Sequence, residues 1–250
     1  MKLTVLGSGS AGNGYVLEGR DSALLLECGV KPEVMMRTCS VQLSRIAGAL
    51  VTHEHLDHSG YMDRYANLGI PIYASAGTFV RSPRLGDHAV RVAVKAMQTF
   101  RVGGFTVSAF DVRHDAQEPL GFIIEHDECG RILFLTDTAF CPYDFRSLHL
   151  HHVLVESNYH DRLLDENVET GIIEKERADR TRRTHLSIQG ACDLVGADQT
   201  ADLVTVVLLH LSRQNADPVD FVAKVTRKVL FARVYAAKAG LSINLPRTEI

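Results

Sequence analysis

The amino-acid sequence predicts an α/β fold, a sandwich of β-sheets flanked by helices, from two observations. Short apolar runs typical of strands alternate with helix-like segments through both halves of the chain. Residue types that bind metals follow several of these runs directly, at His53, His114, Asp137 and His210. Because strand ends are rigid platforms for such groups, this repetition predicts one site assembled from distant segments.

The N-terminal segments are predicted to form strands joined by a glycine-rich loop. A strand at 3–6 is followed by the loop 7–14. A dinucleotide-binding fingerprint would continue into a helix, whereas two further strand-like runs follow here. The loop is therefore expected to let backbone approach a site closely, as glycine permits. The remaining segments of this half are predicted as strands at 15–18, 23–29, 47–51 and 70–74 and as helices at 31–44, 59–69 and 76–80.

A histidine-rich stretch, Thr52-His53-Glu54-His55-Leu56-Asp57-His58, follows the apolar run 46–51. Imidazole and carboxylate are the ligands that bind zinc, manganese or iron. If 47–51 is a buried strand, His53 and His55 leave its end on the same side. Asp57 and His58 then fall on the turn that begins the next helix, so one strand end can serve two adjacent metals. The competing interpretation is a histidine-rich surface loop.

The second half is predicted to contain strands separated by one charged segment. Residues 156–184 carry many charges and few apolar side chains. Strands are predicted at 105–110, 120–125, 131–135, 153–156 and 204–209, a helix at 218–229, and a strand or helix turn at 234–237.

The composition describes an ordinary soluble globular protein. The chain has 250 residues, 46% hydrophobic and 23% charged, with a formal net charge of -3. This balance gives no sign of a strongly basic nucleic-acid surface, although a local patch is compatible with it. The N-terminal apolar run is too short for a signal peptide, and no segment has the length of a membrane span.

Cysteine usage predicts a cytoplasmic protein. The five cysteines are odd in number and widely spaced, without a Cys-x-x-Cys pair. Neither a disulfide framework nor a zinc ribbon is therefore expected, and buried thiols in a reducing compartment are the better interpretation.

The pattern His-x-His-x-Asp-His after a strand resembles the signature of the metallo-β-lactamase fold hydrolase superfamily. Further phrases are similar to the YycJ-like (WalJ) branch, which is related to the tRNA 3′-processing endonucleases. These phrases are 6–13, 114–121, 135–138, 156–158, 185–187 and 210–212. The resemblance implies a four-layer αββα sandwich, with residues 1–250 forming a single hydrolase domain.

The resemblance also implies the ligands of a dinuclear site holding two divalent ions (Zn, Mn or Fe). The first ion would be bound by His53, His55 and His114, the second by Asp57, His58 and His210, and Asp137 would bridge them. Asp57 is counted among the catalytic residues as well. An aspartate at position 137 resembles the phosphodiester and thioester hydrolases, since the β-lactamases proper have cysteine there. Two departures from the branch are Glu27, where Asp is common, and Tyr159, which separates Asn158 from His160.

Residues for the substrate are predicted around this site. His185, in a His-x-Ser context, is the candidate general acid; the alternative is a helix-initiating histidine with Ser187 as the cap. Arginine suits phosphate contacts, although the interleaved acidic residues of 174–179 also fit solvated charge. The predicted substrate-binding residues are Ser8, Ser10, Asn13, Asn158, Arg180 and Arg183, with Arg81 and Arg84 as weaker candidates.

The sequence thus predicts a phosphodiesterase or nuclease that acts on DNA or RNA by metal-activated water. The first alternative is a small-molecule hydrolase, such as a cyclic phosphodiesterase or lactonase, on the same site. The second is a metal-stabilised interaction module, against which a full ligand set argues because structural metal sites are closed. The expected partners are nucleic acid or another phosphodiester and no membrane; a homodimer is one assembly that the sequence allows.

Overall fold

The computed structural model describes residues 1–82, 85–86 and 89–247, so Arg84 lies outside the described residues. The chain divides into two compact units. Among the described residues, unit 1 comprises 1–111, 116–130 and 238–247, and unit 2 comprises 112–115 and 131–237. A single domain over 1–250 stays a prediction.

Unit 1 is built on a mixed seven-stranded sheet with strand order β14-β1-β2-β3-β4-β5-β6. Strands β1 to β3 are antiparallel, and β3 to β6 are parallel neighbours. Three further strands, β7 to β9, pair antiparallel. The strands are β1 Lys2–Gly7, β2 Gly14–Glu18, β3 Ala23–Leu26, β4 Ile46–Leu50, β5 Ile72–Ala74, β6 Arg91–Ala93, β7 Thr99–Val102, β8 Phe105–Asp111, β9 Leu120–His126 and β14 Ser242–Asn244.

The helices of unit 1 are short and begin at residues suited to a helix start. Pro32 occupies the first turn of α1, where its missing N–H costs nothing. The Ser75 hydroxyl accepts a hydrogen bond from the Thr78 N–H at the start of α4. These helices are α1 Pro32–Thr38, α2 Leu56–Ser59, α3 Met62–Asn67 and α4 Ala76–Val80, with a 3-10 turn at Leu43–Arg45.

Unit 2 is built on four parallel strands in the order β13-β12-β11-β10. Strands β11 and β12 are buried along their whole length, as expected for parallel strands that are covered on both faces. The elements are β10 Gly130–Leu135, β11 His152–Glu156, α5 Asp161–Glu169, α6 Lys175–Thr184, α7 Ile188–Asp198, β12 Thr205–Leu209, α8 Pro218–Thr226 and β13 Arg233–Ala236, with a 3-10 turn at Arg146–Leu148.

Most of the predicted strands are confirmed, whereas two predicted helices and the charged segment differ from the sequence prediction, and strands β6, β7 and β14 were not predicted. The helix expected at 31–44 ends at Thr38, because Cys39 is extended. The helix expected at 59–69 is α3, which begins only at Met62, and a separate short helix, α2, precedes it and ends at Ser59. The charged segment 156–184 contains two helices, α5 and α6, whose buried side chains Leu164 and Ala178 pack together with Tyr159 and with Ile173 of the connection between the helices.

Membrane-spanning helices were sought over the described residues. No helix there is long and apolar enough to cross a bilayer.

Candidate functional site

In unit 1, parallel pairing brings the ends of β3 and β4 to the same sheet edge. Leu26, the last residue of β3, is in register with Leu50, the last residue of β4. Glu27 follows the first strand directly, and Thr52 and His53 follow the second. Their side chains therefore start from one edge, the place where parallel sheets bind ligands.

The four ligand-type side chains of the histidine motif, together called the motif cluster, lie on the turn and helix after β4. Its members are His53, His55, Asp57 and His58. The His53 ring centroid lies 4.7 Å from that of His55 and 4.2 Å from that of His58. His53 and His58 are buried, whereas His55 and Asp57 are partly exposed. The motif is thus compact and opens toward solvent at His55 and Asp57, so the surface-loop alternative does not describe it.

A buried carboxylate, Glu27, orients two histidines of the motif cluster. Its Oε1 accepts a hydrogen bond from the Thr52 hydroxyl at 2.6 Å and lies 3.3 Å from His58 Nδ1. The Thr52 oxygen lies 2.9 Å from His53 Nδ1. Because the Thr52 proton is given to Glu27, that oxygen accepts from His53, which places the ring proton on Nδ1. The His53 ring therefore turns its Nε2 lone pair away from Glu27, the form that binds metals.

Asn13, at the end of the glycine-rich loop, is also fully buried. Its Oδ1 accepts a hydrogen bond from the Gly9 N–H at 2.8 Å, which fixes the amide orientation. Its Nδ2 then lies 3.0 Å from His58 Nε2 and 3.4 Å from Asp57 Oδ2. The loop therefore positions the motif cluster directly.

In unit 2, three parallel strands end at one edge with polar side chains. Leu135 is in register with Val155, and Val155 with Leu208. Asp137 comes two residues after β10, Glu156 ends β11, and His210 directly follows β12. Together with His114 and His185, these three residues form what we call the strand-end cluster.

Glu156 lies at the centre of the strand-end cluster, although the sequence predicted no role for it. Its side chain is fully buried. Oε1 lies 2.6 Å from His185 Nδ1 and 3.5 Å from His210 Nδ1. Oε2 accepts hydrogen bonds from the backbone N–H groups of Thr138 and Leu186, both at 3.0 Å. The signal that could have identified Glu156 is the one that identified the other residues, namely a metal-binding residue type at the end of a buried strand.

Asp137 lies between two histidines of this cluster. Its Oδ1 is 2.6 Å from His210 Nδ1 and accepts a hydrogen bond from the Thr136 hydroxyl at 2.7 Å. Its Oδ2 is 3.7 Å from His114 Nε2 and 3.6 Å from His185 Nδ1. One carboxylate thus contacts three imidazoles.

Two histidines and one carboxylate of the strand-end cluster have shifted pKa values. Burial lowers the pKa of His114, against the opposing charge of Asp137. Burial would also lower the pKa of His185, but the charge and hydrogen bond of Glu156 outweigh it and raise that pKa above its usual value. The pKa of Glu156 is lowered, because His185 outweighs the effect of burial. His185 and Glu156 therefore form a charge-assisted pair.

The two interpretations of His185 are separated by its backbone and side chain. Ser187 does cap α7, since its hydroxyl accepts a hydrogen bond from the Gly190 N–H at 3.1 Å. His185 itself ends α6, and its ring turns to Glu156 with 18% of the side chain exposed. Capping is therefore supplied by Ser187, and the imidazole is available for another role.

Three of the five described non-glycine residues with positive φ lie in these clusters or contact them, the other two being Met97 and His149. Glu27, Asp137 and His210 have φ angles of +66°, +47° and +52°, a region that residues other than glycine rarely adopt. All three directly follow or closely follow buried strands. Strained backbone of this kind is typical of functional sites, where the surrounding structure holds it in place.

The donor sets fit divalent metal ions. Asp137, Glu156, His185 and His210 each offer a ligand atom, and these atoms lie within 4.8 Å of one another. Imidazole and carboxylate are the ligands preferred by zinc, manganese and iron. The motif cluster offers the same chemistry, with the His53 tautomer already set for binding.

The predicted substrate-binding residues are placed differently. Ser8 lies 2.8 Å from the Tyr15 hydroxyl, and Ser10 is exposed. Asn158 is buried and donates a hydrogen bond to the His210 carbonyl at 2.9 Å. Arg180 pairs with Asp115 at 2.8 Å, whereas Arg183 is exposed and has no ion pair with another described residue. His160, the residue displaced by Tyr159, caps α5.

Comparison with known proteins shows which proteins this chain is similar to. The model of the β-lactamase superfamily domain matches residues 25–210. Exodeoxyribonuclease YycJ of Bacillus anthracis is 30% identical over 151 residues, covering 56% of this chain and 55% of that protein. Exodeoxyribonuclease WalJ of Streptococcus pneumoniae is 29% identical over 148 residues, with the same coverage of 56% and 55%. The chain spans about half the length of the curated relatives it matches.

A solved structure shows the fold. The crystal structure of the metallo-β-lactamase fold protein YhfI from Bacillus subtilis matches with a TM-score of 0.75 and 17% identity, covering 97% of this chain and 98% of that one. This match confirms the predicted αββα metallo-β-lactamase fold, and the two exodeoxyribonuclease relatives confirm the resemblance to the YycJ-like branch.

Proposed function

The chain belongs to the β-lactamase superfamily, and from that premise we propose that it is a metal-dependent phosphodiesterase that hydrolyses DNA or RNA. The observation that carries the proposal is the strand-end cluster, in which the buried Glu156 holds His185 beside Asp137. This combines ligand-type groups with a partly exposed imidazole that is set up to transfer a proton. The two exodeoxyribonuclease relatives support the choice of a nucleic-acid substrate.

Seven side chains would hold two divalent ions. His53, His55 and His114 would bind the first ion, Asp57, His58 and His210 the second, and Asp137 would bridge both. Support comes from the Nδ1 protonation of His53 and from the ligand-type atoms of Asp137 and His210 in the strand-end cluster. When bound, such ions lower the pKa of a water molecule and offset charge on the attacked phosphate.

The protein's own groups would then orient the substrate and move protons. The Glu156 carboxylate keeps His185 Nδ1 protonated and the ring fixed, so Nε2–H is the proton available to the leaving oxygen. Asp57, partly exposed beside Asn13, would orient the attacking water and so act catalytically. Arg183 would contact a substrate phosphate, and Arg180 would do so by exchanging its partner Asp115 for the phosphate.

Polar groups near the two clusters complete the proposal. Ser8 and Ser10 of the glycine-rich loop offer donors to a phosphate oxygen. Asn13 and Asn158 would act on the substrate through the residues they hold, namely Asp57, His58 and His210. A cytoplasmic location, as expected for reduced buried cysteines, and a homodimeric assembly belong to the same proposal.

The second candidate is a small-molecule hydrolase, either a cyclic phosphodiesterase or a lactonase. The formal net charge of -3 favours it. So does the pairing of Arg182 with Asp161 and Asp165, which neutralises one cation of α6. A small substrate would need fewer cations than a nucleic-acid strand.

A substrate panel separates the candidates. Purified protein with manganese or zinc is incubated with single-stranded and duplex DNA, RNA, bis-p-nitrophenyl phosphate, a cyclic nucleotide and a lactone. The proposal expects cleavage of at least one nucleic acid. Cleavage of only the small substrates would contradict the nucleic-acid proposal and identify the protein as a small-molecule hydrolase.

The role of His185 is tested separately. His185→Ala is expected to keep its metal content and to lose about 100-fold or more in kcat. The control is His149→Ala, because His149 is an exposed histidine of the same unit that pairs with Asp202. Unchanged kcat in His185→Ala would return this histidine to a structural role.

A further inference from the structure

One aromatic side chain of unit 2 is exposed close along the chain to the strand-end cluster. Phe140 has 52% of its surface exposed, whereas Phe134, Phe145 and Phe221 are at most 5% exposed. It lies three positions after Asp137 on the segment that follows β10. A large apolar side chain left in water at this place costs stability, and a ligand that covers it would recover that cost.

The backbone that carries Phe140 is fixed to the strand-end cluster. The Thr138 hydroxyl donates a hydrogen bond to the Phe140 carbonyl at 2.7 Å. The Thr138 N–H donates to Glu156 Oε2 at 3.0 Å, and Thr138 is fully buried. Phe140 is therefore presented from a rigid segment tied to the carboxylate that also holds His185.

An exposed cation is attached to the same segment. The Arg113 carbonyl accepts a hydrogen bond from the Ala139 N–H at 2.8 Å, and the Arg113 N–H donates to Thr138 Oγ1 at 3.1 Å. Arg113 is exposed, and its guanidinium forms no ion pair with another residue in the described part of the chain. Arg180, by contrast, already has a carboxylate partner. Two segments joined by these hydrogen bonds thus offer an aromatic side chain and a positive charge without an ion-pair partner among the described residues.

From this juxtaposition we propose that Phe140 and Arg113 form a nucleotide subsite, in which an unstacked nucleobase stacks on Phe140 and a neighbouring phosphate contacts Arg113. The inference rests on the proposed function and makes it more specific, because only a single-stranded segment offers an unstacked base. Stacking on an aromatic ring is tolerant of sequence, since every base has a π-face. The subsite therefore selects single strands without selecting a sequence.

Equilibrium binding tests the subsite without requiring turnover. Fluorescence anisotropy compares a thymidine oligonucleotide with an abasic tetrahydrofuran oligomer that has the same number of phosphates. Wild-type protein is expected to bind the thymidine oligonucleotide about tenfold more tightly. Phe140→Ala and Phe140→Leu should bind both oligomers alike, whereas Phe140→Tyr should keep the preference. The matched control is Phe231→Ala, because Phe231 is 80% exposed in the same unit and lies in the loop between α8 and β13.

The arginine has its own expected result. Arg113→Ala should weaken binding of both oligomers equally and reduce the slope of log K against log salt concentration by about 0.7, as expected for one lost phosphate contact on a single strand. An unchanged slope would remove Arg113 from the subsite.

The outcomes distinguish this inference from the proposed function. If the wild-type protein cleaves neither DNA nor RNA, the proposed function fails, and the anisotropy comparison still decides the subsite. Equal wild-type affinity for the two oligomers overturns the subsite whatever is cleaved. The subsite is also overturned if Phe140→Leu keeps the preference for the thymidine oligonucleotide. It is likewise overturned if Phe140→Ala keeps that preference and changes only the self-association of the protein, measured by sedimentation.

Discussion

The motif cluster and the strand-end cluster hold the same kinds of side chain by different means. In the motif cluster four ligand-type residues come from six consecutive positions. One carboxylate, Glu27, orients His53 through Thr52 and contacts His58 directly. In the strand-end cluster the residues come from distant segments, and Glu156 ties them through His185, His210 and two backbone N–H groups. Local sequence thus builds one cluster and sheet topology builds the other.

This difference predicts different consequences for the two buried carboxylates. Glu27 contacts His58 directly and His53 through Thr52, and both histidines are proposed to bind metal, so its loss should affect metal binding first. Glu156 touches the proposed proton donor, so its loss should affect turnover first. The following variants test that division in order of expected effect.

The largest effect is expected from Asp137→Ala, because Asp137 contacts three imidazoles of the strand-end cluster. Phosphodiester hydrolysis should fall roughly 100- to 1,000-fold, and the metal content should fall with it. Bis-p-nitrophenyl phosphate turnover and elemental analysis measure the two. Asp144→Ala, at an exposed aspartate in the same unit, is the control and should change neither. Wild-type metal content in Asp137→Ala would contradict its assignment as a bridging ligand.

The next comparison is Glu27→Gln against Glu156→Gln. Partners that orient metal ligands typically contribute 10- to 100-fold, so Glu27→Gln should weaken metal affinity by about that factor. Glu156→Gln should retain its metal and lose a similar factor in kcat, since His185 loses its anionic partner. Metal titration and steady-state kinetics separate the two effects. Equal loss of metal in both variants would refute the division between the carboxylates.

A smaller effect, on stability alone, is expected from Leu164→Ala. Leu164 is fully buried in the small cluster that packs α5 against α6. Removing it should lower the free energy of unfolding by about 2–4 kcal/mol, measured by urea denaturation. Ile172→Ala is the control because Ile172 is 57% exposed, and it should change the free energy by no more than about 0.5 kcal/mol. A destabilisation of Leu164→Ala no larger than the control's would mean that α5 and α6 do not rely on this packing.

The smallest effect is expected from Ser187→Ala, which removes the cap of α7. The free energy of unfolding should fall by about 1 kcal/mol, with kcat unchanged. A fall in kcat as large as that of His185→Ala would show that the serine serves the reaction rather than the helix.

Helices and strands were predicted well where burial requires a regular pattern of apolar residues, and poorly where it does not. Strands β11 and β12 are buried throughout, and their apolar runs were evident. Strands β6 and β14 were missed, because each has three residues with exposed side chains at its ends and is held by backbone pairing. Helices α5 and α6 were missed because few of their positions are apolar. Their charges dominate the sequence pattern, and their packing depends on residues from both helices.

The candidate site shows the same limit. His53 to His58 could be read directly, because their chemistry is contiguous. Glu156 was overlooked because the seven ligands implied by the family resemblance left no place for it. Its role depends on contacts made across the ends of parallel strands, which sequence spacing does not show. The left-handed backbone at Glu27, Asp137 and His210 is likewise set by tertiary structure.

We propose that residues of the motif cluster and of the strand-end cluster together bind one pair of metal ions. Electron paramagnetic resonance of the manganese(II)-loaded protein, combined with elemental analysis, tests it most directly. The account predicts two ions per chain and a spin-coupled signal, because a shared aspartate places the ions close together. One ion per chain, or two ions with an uncoupled signal, would contradict it.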